Sequence, residues 1–250
     1  MAAPPSLAAP GGGAPSEALV RAFWAESAAT GAPWPSEPDL AVALGVSRPA
    51  LRESLTRLEA EGLIRRRRGD ATYVNAPAAR IVTRFDQQAR FELALEDAGL
   101  VAEAEHLFAE QVVLDDATCQ QLGVPTGAPG LAIGKRWRAD GRVVMVALDR
   151  IPLVRSDGGR LPLPDPLQTP VRLFPLMQAL RPDPIEWEIA TPGASRPSRQ
   201  EAEWFEDASL EAVLTLDLLG VSRRGDVYYR NRELHRPGAV PFGFVRSIRH

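Results

Sequence analysis

Apolar residues between positions 16 and 62 recur every three or four residues, the spacing of amphipathic helices. A first helix is predicted over residues 16–30, before the break at Gly31-Ala32-Pro33, and a short second helix ends at Gly45. Ser36 and Ser47 stand where capping residues of the second and third helices are expected. The third helix is predicted to bury a stripe formed by Leu51, Leu55 and Leu58 and to end at Gly62.

Two short apolar runs follow, at residues 63–64 and 71–74, and they flank four consecutive arginines and a Gly69-Asp70 turn. This pattern is typical of a β-hairpin. Three helices and a hairpin in this order predict a winged helix-turn-helix over residues 16–76. Residues 1–15, rich in Ala, Pro and Gly, are interpreted as a disordered tail, and residues 77–90 as a linker.

From residue 91 onward, helical and alternating patterns are mixed, and Asp140-Gly141 is a strong hairpin signal. The fold class predicted for residues 91–250 is an antiparallel-sheet α+β domain. The last third repeats the strand–turn–strand layout, which indicates an internal duplication. Helices are predicted over 93–100, 115–122, 171–180 and 198–205, and strands over 106–114, 131–138, 142–151, 186–190, 213–221, 227–234 and 242–248.

Composition fits two folded domains: of the 250 residues, 45% are hydrophobic and 24% are charged. No run of about 18 apolar residues is present, so the chain is expected to stay in the cytoplasm without entering a membrane. Cys119 is the only cysteine and is expected to be a buried structural thiol. The formal charge is −3, yet arginines crowd between residues 48 and 68 while acids lie downstream, which favours an anionic partner for the first domain.

Arg48 and Arg52 lie four residues apart, and therefore on one face of the third helix, away from its leucines. Arginine suits guanine edges and phosphates, so this pair is the candidate for base contact with double-stranded DNA. Ser36 and Ser47 are placed to bind phosphate at helix N-termini. Alternation along the hairpin makes Arg65 and Arg67 weaker candidates. The competing interpretation is that these arginines form only a solvated surface.

The segments 35–41, 45–53 and 58–64, followed by Gly69 and Tyr73-Val74, resemble the winged helix of GntR-family regulators. The resemblance implies that Arg48, Arg52 and the wing-tip residue Gly69 contact operator DNA. Pro38 stands where the family often has an arginine, which implies a modified contact set. Ala71 replaces the usual second wing glycine.

The segments 115–117, 122–130, 136–141 and 151–152 resemble the UTRA effector domain of the HutC-like branch, whose fold is similar to that of chorismate lyase. The resemblance implies that two arginines one residue apart on a strand, here Arg136 and Arg138, hold the anionic part of an effector. Residues two apart in a strand share a face, which fits this role. Arg236, Trp137 and Tyr229 complete the expected effector site.

Three positions depart from the acids seen in many sugar-phosphate sensors of this branch: Ala147, Tyr229 and Gly238. A less hydroxylated and more apolar anion, or a natural product, is therefore the expected effector. The pattern between residues 153 and 212 is faint and adds nothing to this site.

The sequence thus predicts a ligand-responsive transcription repressor that binds an inverted repeat as a homodimer and is released by a small molecule. The predicted protein is not an enzyme and carries no cofactor or metal, since its three histidines have no metal-like spacing. Three alternatives stay open: a DNA binder whose second domain only dimerises, an enzyme with a lyase-like fold, and a GntR regulator with an all-helical, metal-binding effector domain.

Overall fold

The computed structural model describes residues 15–66, 71–81, 83–84, 91–97, 99–155, 157–162, 173–181, 183–240 and 242–246. The chain divides into two compact units, residues 1–90 with 241–250 and residues 91–240. The disordered tail predicted for residues 1–15 falls almost wholly outside the described residues. So do Arg67 and Gly69, two of the residues predicted to contact DNA.

The first unit is built from three helices and a two-stranded wing, as predicted. The helices are α1 (Pro15–Thr30), α2 (Glu37–Leu44) and α3 (Arg48–Ala60), and the wing strands β1 (Ile64–Arg65) and β2 (Tyr73–Val74) pair antiparallel. The Ser36 and Ser47 side chains accept from the backbone N–H groups of Asp39 and Ala50, which begins α2 and α3 where the sequence indicated. The core of this unit includes Val20, Leu40, Leu51, Leu55 and Leu58, all fully buried.

The linker was predicted over residues 77–90, but residues 77–80 are part of the folded first unit. They lie in a short 3-10 helix, Ala76–Arg80, whose Ala78 is buried in the core of the first unit. A small apolar side chain with a packing partner keeps this stretch in the domain, although its Ala-rich sequence resembles a linker.

The strand predicted over 242–248 was assigned to the second domain, and the structure corrects this assignment. β10 (Phe242–Gly243) pairs in parallel with β3 (Thr83–Arg84), and both strands belong to the first unit. Val245 packs on the core of that unit, with Cγ1 2.6 Å from the point where a Cβ on Gly62 would lie. A two-residue pairing between distant segments leaves no periodic signal in the sequence.

The second unit is a six-stranded antiparallel sheet with the strand order β4-β5-β6-β9-β8-β7, which confirms the α+β class. Its strands are β4 (Ala102–Val113), β5 (Pro129–Ala139), β6 (Arg142–Pro152), β7 (Ile185–Ser195), β8 (Val213–Ser222) and β9 (Val227–His235). Its helices are α4 (Phe91–Asp97), α5 (Asp116–Leu122), α6 (Leu173–Leu180) and α7 (Arg199–Trp204).

The two halves of this sheet share one layout, β4-α5-β5-β6 and β7-α7-β8-β9, joined by the central β6–β9 pair. The structure therefore carries the repeat that the sequence indicated. Within the first half, Asp140 and Gly141 both adopt positive φ, at 48° and 78°, as the predicted tight hairpin requires. Cys119 is buried, and its Sγ lies 3.6 Å from the Leu114 carbonyl oxygen.

The two faces of the sheet are covered by different helices. On one face, apolar residues of α6 pack against Leu131, Ile133, Ile151 and Tyr229. Phe91 of α4 lies on the same face, edge-on to the ring of Trp137. On the other face, Trp204 and Phe205, at the end of α7, pack against Val146 and Leu234. We call these the α4/α6 face and the α7 face.

Candidate functional site

The exposed side of α3 is the first candidate site, because it carries cations opposite a fully buried stripe. Leu51, Leu55 and Leu58 face the core, while Arg48 and Arg52 are exposed. Arg48 makes no ion pair with any described residue. The Arg52 side chain is 71% exposed and donates from Nε to Glu37 Oε2 at 2.9 Å. Among the described residues, the Arg48 guanidinium is therefore unpaired, and the exposed Arg52 guanidinium has one ion pair, with Glu37.

The serines at the two N-termini, Ser36 and Ser47, are exposed and act as helix caps at 3.4 Å from the backbone nitrogens of Asp39 and Ala50. Ser36 Oγ also donates to the Asp39 carboxylate at 2.5 Å. The Ser47 hydroxyl proton is not used by its capping bond, so Ser47 is the better placed of the two to donate to a phosphate.

The wing arginines differ in how they are held. Arg65 is exposed and has no ion-pair partner among the described residues. Arg66 donates to Glu59 from its backbone N at 2.7 Å and from Nε at 2.9 Å. Partial burial acts to raise the pKa of Glu59, but the bonds from Arg66 outweigh it and lower that pKa below its ordinary value. Arg66 therefore attaches the wing to α3, while Arg65 stays available.

Arg57, which lies in the arginine-rich stretch between residues 48 and 68, connects helices by ion pairs. Its guanidinium pairs with Glu17 of α1 at 2.5 Å and with Glu53 at 2.6 Å. Glu17 and Glu61 also pair with Arg21, so these side chains join α1 to α3. Sequence reasoning also missed Glu37, because the fifteen positions separating it from Arg52 give no local signal of their contact.

In the second unit, the predicted residues Arg136 and Arg138 share the α7 face. Both donate to Glu105, at 2.7 and 3.1 Å, and both pair with Glu206. The hydrogen bonds from Arg138 lower the pKa of Glu206 to about 2. The two guanidiniums therefore attach the segment after α7 to the sheet.

Arg236 performs a similar task on the same face. It donates to the Val143 carbonyl at 2.8 Å, the Phe205 carbonyl at 3.2 Å and Asp207 Oδ2 at 2.6 Å. A cleft of about 370 Å³ lies beside it, and its lining includes three carboxylates, from Asp140, Glu206 and Asp207. An anion entering this cleft would meet arginines that already have acidic partners.

Trp137 and Tyr229 lie on the opposite, α4/α6 face. Trp137 contacts Phe91, and Lys135 Nζ lies 5.7 Å from its ring centroid. Tyr229 is fully buried and donates from its hydroxyl to Glu188. The five residues predicted to hold the effector therefore do not form one site, because the sheet separates three of them from two. The sequence analysis missed Lys135, which alternation along β5 places beside Trp137.

Tyr229 reaches Glu188 by crossing β8 at Gly220. A Cβ on Gly220 would lie 2.1 Å from Tyr229 Cε1, so only glycine leaves room for the ring there. Burial, and then the charge of Glu188, raise the pKa of Tyr229 well above its ordinary value. Burial also raises the pKa of Glu188.

Within the described ranges, no three His, Cys, Asp or Glu side chains come together as a metal site would need. No helix in the same part of the chain is long and apolar enough to cross a membrane.

A three-helix unit with a wing and an arginine-bearing third helix, followed by a separate antiparallel α+β unit, defines the class of two-domain helix-turn-helix proteins. Residues 16–74 match the family model of "Bacterial regulatory proteins, gntR family", so this part of the first unit is similar to the helix-turn-helix domain of that family.

A curated relative, the HTH-type transcriptional regulator Mce2R of Mycobacterium tuberculosis, is 62% identical over 40 residues. That match spans 16% of this chain and 17% of the relative's length.

Two solved structures share the fold across both units. The structure of PhnF from Mycobacterium smegmatis has a TM-score of 0.57 at 21% identity and covers 92% of this chain and 100% of its own. The possible transcriptional regulator YydK from Bacillus subtilis has a TM-score of 0.64 at 10% identity, covering 93% and 99%. These likenesses show that the folds of both units have counterparts in solved structures.

Proposed function

We propose that the protein is a GntR-type transcription regulator of the HutC-like branch, which binds double-stranded DNA with its first unit and a small-molecule effector with its second. The observation that carries the proposal is the pair Arg48 and Arg52 on the exposed side of α3, opposite the buried leucine stripe. Its relative and structural neighbours are named as regulators, which supports a regulatory rather than a catalytic role.

DNA recognition follows from the chemistry of this surface. The forked guanidiniums of Arg48 and Arg52 suit the O6 and N7 acceptors of guanine in the major groove. Ser47 donates to a phosphate at the start of α3, and Ser36 lies at the equivalent point of α2. Arg65, Arg67 and Gly69 of the wing complete the contact set, with the arginines paired to phosphates of the flanking backbone.

One recognition helix reads only a few base pairs, so the proposal includes a homodimer on an inverted repeat. Effector binding in the second unit favours a dimer whose two helices no longer match the half-site spacing, and repression is relieved. The homodimer and the inverted repeat follow from the two-fold symmetry that such DNA-binding proteins share with their operators.

The proposal is tested with the full-length protein and random double-stranded DNA. Selection of bound sequences is expected to yield an inverted repeat, and Arg52→Ala is expected to weaken its binding by about 1–3 kcal/mol. Arg199→Ala is the matched control, since that side chain is 94% exposed and belongs to the second unit. Recovery of no preferred sequence, or equal binding by the Arg52 variant, would contradict the proposal.

A second candidate is a constitutive regulator whose second unit serves only for dimerisation. The observation in its favour is that Arg136, Arg138 and Arg236 already pair with carboxylates on the α7 face. Operator affinity that stays constant across a metabolite library would favour this candidate, whereas release by one compound would favour the sensor.

A further inference from the structure

The wing of the first unit has an outer face formed by two side chains. Arg65 lies directly opposite Tyr73 in the pairing of β1 with β2. Directly opposed residues of antiparallel strands share a face, and successive residues point to opposite faces. The neighbouring pair, Ile64 and Val74, therefore points the other way, and Ile64 is 3% exposed in the core. Arg65 and Tyr73 are both exposed, so the outer face of the wing consists of a cation beside a phenol.

Tyr73 differs from the other tyrosines of the chain. Tyr228 and Tyr229 are 5% and 0% exposed, whereas Tyr73 is 62% exposed. The Tyr229 hydroxyl donates to Glu188, but the Tyr73 hydroxyl makes no hydrogen bond with any residue that the structure describes. Tyrosine is enriched at interfaces because its ring gains from burial while its hydroxyl finds a polar partner. Both the ring and the hydroxyl of Tyr73 are available to a binding partner.

Both strands of the wing are hydrogen-bonded to the end of α3. Directly after β1, Arg66 donates from its backbone N and from Nε to Glu59. Directly after β2, the Asn75 backbone N donates to the Leu63 carbonyl at 2.9 Å, and Asn75 Nδ2 donates to the Gly62 carbonyl at 2.8 Å. These bonds hold the outer face in place before a partner arrives, which reduces the entropic cost of binding.

One carboxylate connects the wing with the arginine pair of α3. Glu37 Oε2 accepts from Arg52 Nε at 2.9 Å, and Glu37 Oε1 lies 3.7 Å from Arg66 Nη1. Arg66 directly follows Arg65 in the chain, so the end of β1 lies near the arginine that we propose to contact bases. Double-stranded DNA carries one phosphate charge for about every 1.7 Å of its axis, so phosphates lie close to every base that Arg52 could contact.

We infer that Tyr73 is a DNA-binding residue and that it holds the phosphate backbone together with Arg65. The Tyr73 hydroxyl donates to a phosphate oxygen, its ring lies against the adjacent deoxyribose, and the Arg65 guanidinium pairs with the charge of the same phosphodiester. Tyr73 is absent from the contact set predicted from the sequence. The inference rests on the proposed function, because it assumes that the first unit binds double-stranded DNA.

The charged and the neutral donor of the outer face contribute to DNA binding in different ways. Arg65 displaces a counterion when it pairs with a phosphate, so its contribution to the affinity falls as the salt concentration rises. The Tyr73 hydroxyl carries no charge and displaces no counterion, so its contribution does not depend on salt in this way. Phosphate contacts carry no direct sequence information, so both contributions are the same for every duplex.

The first test removes only the hydroxyl, with Tyr73→Phe in the full-length protein. Affinity for the selected operator and for a random duplex is expected to fall alike, by about threefold to tenfold, as loss of one neutral hydrogen bond predicts. The slope of the logarithm of affinity against the logarithm of salt concentration is expected to stay unchanged. Tyr228→Phe, which removes the same atom from the second unit, is the matched control. Unchanged affinity of the Tyr73 variant, or a loss confined to one sequence, would overturn the inference.

Nitration by tetranitromethane locates the contact in the wild-type chain. All three tyrosines lie in described parts of the chain, and only Tyr73 is exposed to this reagent. At a duplex concentration ten times the Kd, nitration of Tyr73 is expected to slow by about tenfold, because the unbound fraction falls by that factor. Mass spectrometry of the peptide that contains Tyr73 measures the rate. An equal rate with and without the duplex would overturn the inference.

The same preparations separate this inference from the proposed function. If Arg52→Ala weakens operator binding and Tyr73→Phe does not, the inference is overturned and the proposed function is supported. If Tyr73→Phe weakens binding to every duplex while selection recovers no preferred sequence, the inference is supported and the proposed sequence-reading regulator is overturned. A wild-type protein without affinity for any duplex would overturn both.

Discussion

Arg52 and Glu37 form an ion pair across the turn of the helix-turn-helix, with 2.9 Å between Nε and Oε2. In the free protein this contact orients a guanidinium that DNA recognition would need, and it also keeps a carboxylate near the approaching phosphates. Under the proposed function, Glu37 competes with DNA for the same donor.

Glu37→Gln is therefore expected to strengthen operator binding. An exposed ion pair contributes at most about 1 kcal/mol. If DNA no longer has to break this pair, the affinity for the operator rises by up to roughly fivefold. Fluorescence anisotropy with labelled operator at fixed salt measures it, and Glu53→Gln is the control because Glu53 pairs with Arg57 instead. Weaker binding by the Glu37 variant would mean that the ion pair prepares Arg52 for DNA.

On the wing, Arg66 forms an ion pair with Glu59, whereas Arg65 has no ion pair among the described residues. Arg65→Ala is expected to weaken binding to all DNA sequences alike and to reduce the salt-dependence slope by about 1, as loss of one phosphate contact does. Arg66→Ala is expected to lower the stability of the first unit, since Arg66 pairs with Glu59. Identical slopes for the Arg65 variant and the wild type would remove Arg65 from the interface.

Gly220 gives the most direct test of packing on the α4/α6 face. Gly220→Ala places a methyl 2.1 Å from Tyr229 Cε1, so the ring must move and its bond to Glu188 is lost. A destabilisation of about 1–3 kcal/mol is expected in urea unfolding. In a Tyr229→Leu background the same change is expected to cost far less, and equal costs in both backgrounds would show that the ring is not the obstacle.

The pair Arg138–Glu206 predicts how the α7 face responds to acid. The folded-state pKa of Glu206 is about 2, below its unfolded value, so its stabilising contribution is present above the unfolded pKa and is lost as the pH falls toward 2. The stability difference between wild type and Glu206→Gln is expected to shrink between about pH 5 and pH 2. Thermal unfolding across that range measures it, and a constant difference would show that Arg138 does not hold this carboxylate.

The elements that could be predicted from sequence are those specified by neighbouring residues. Ser36 and Ser47 cap helices by bonding three residues ahead, and Asp140-Gly141 closes a hairpin through its own backbone angles. Their signals lie within a few positions, so the bounds of α2, α3 and the β5–β6 hairpin were close to those observed.

The candidate site was harder to predict because the residues that contact each other there are far apart in the sequence. Arg138 meets Glu206 across 68 positions and Tyr229 meets Glu188 across 41. Alternation along β5 implies that Trp137 and the two arginines face opposite ways, but which face α7 would cover depends on packing. The resemblance therefore grouped residues that the sheet separates.

The pairing of β10 with β3 changes how the protein can be divided. The chain leaves the first unit after β3, forms the whole second unit, and returns at β10. The second unit is thus an insertion between two segments of the first unit, attached at both of its ends. A fragment cut after residue 84 would lack the strand that β3 pairs with and the Val245 side chain on the core. A change in the inserted unit could act on the helix-turn-helix through two covalent connections instead of one.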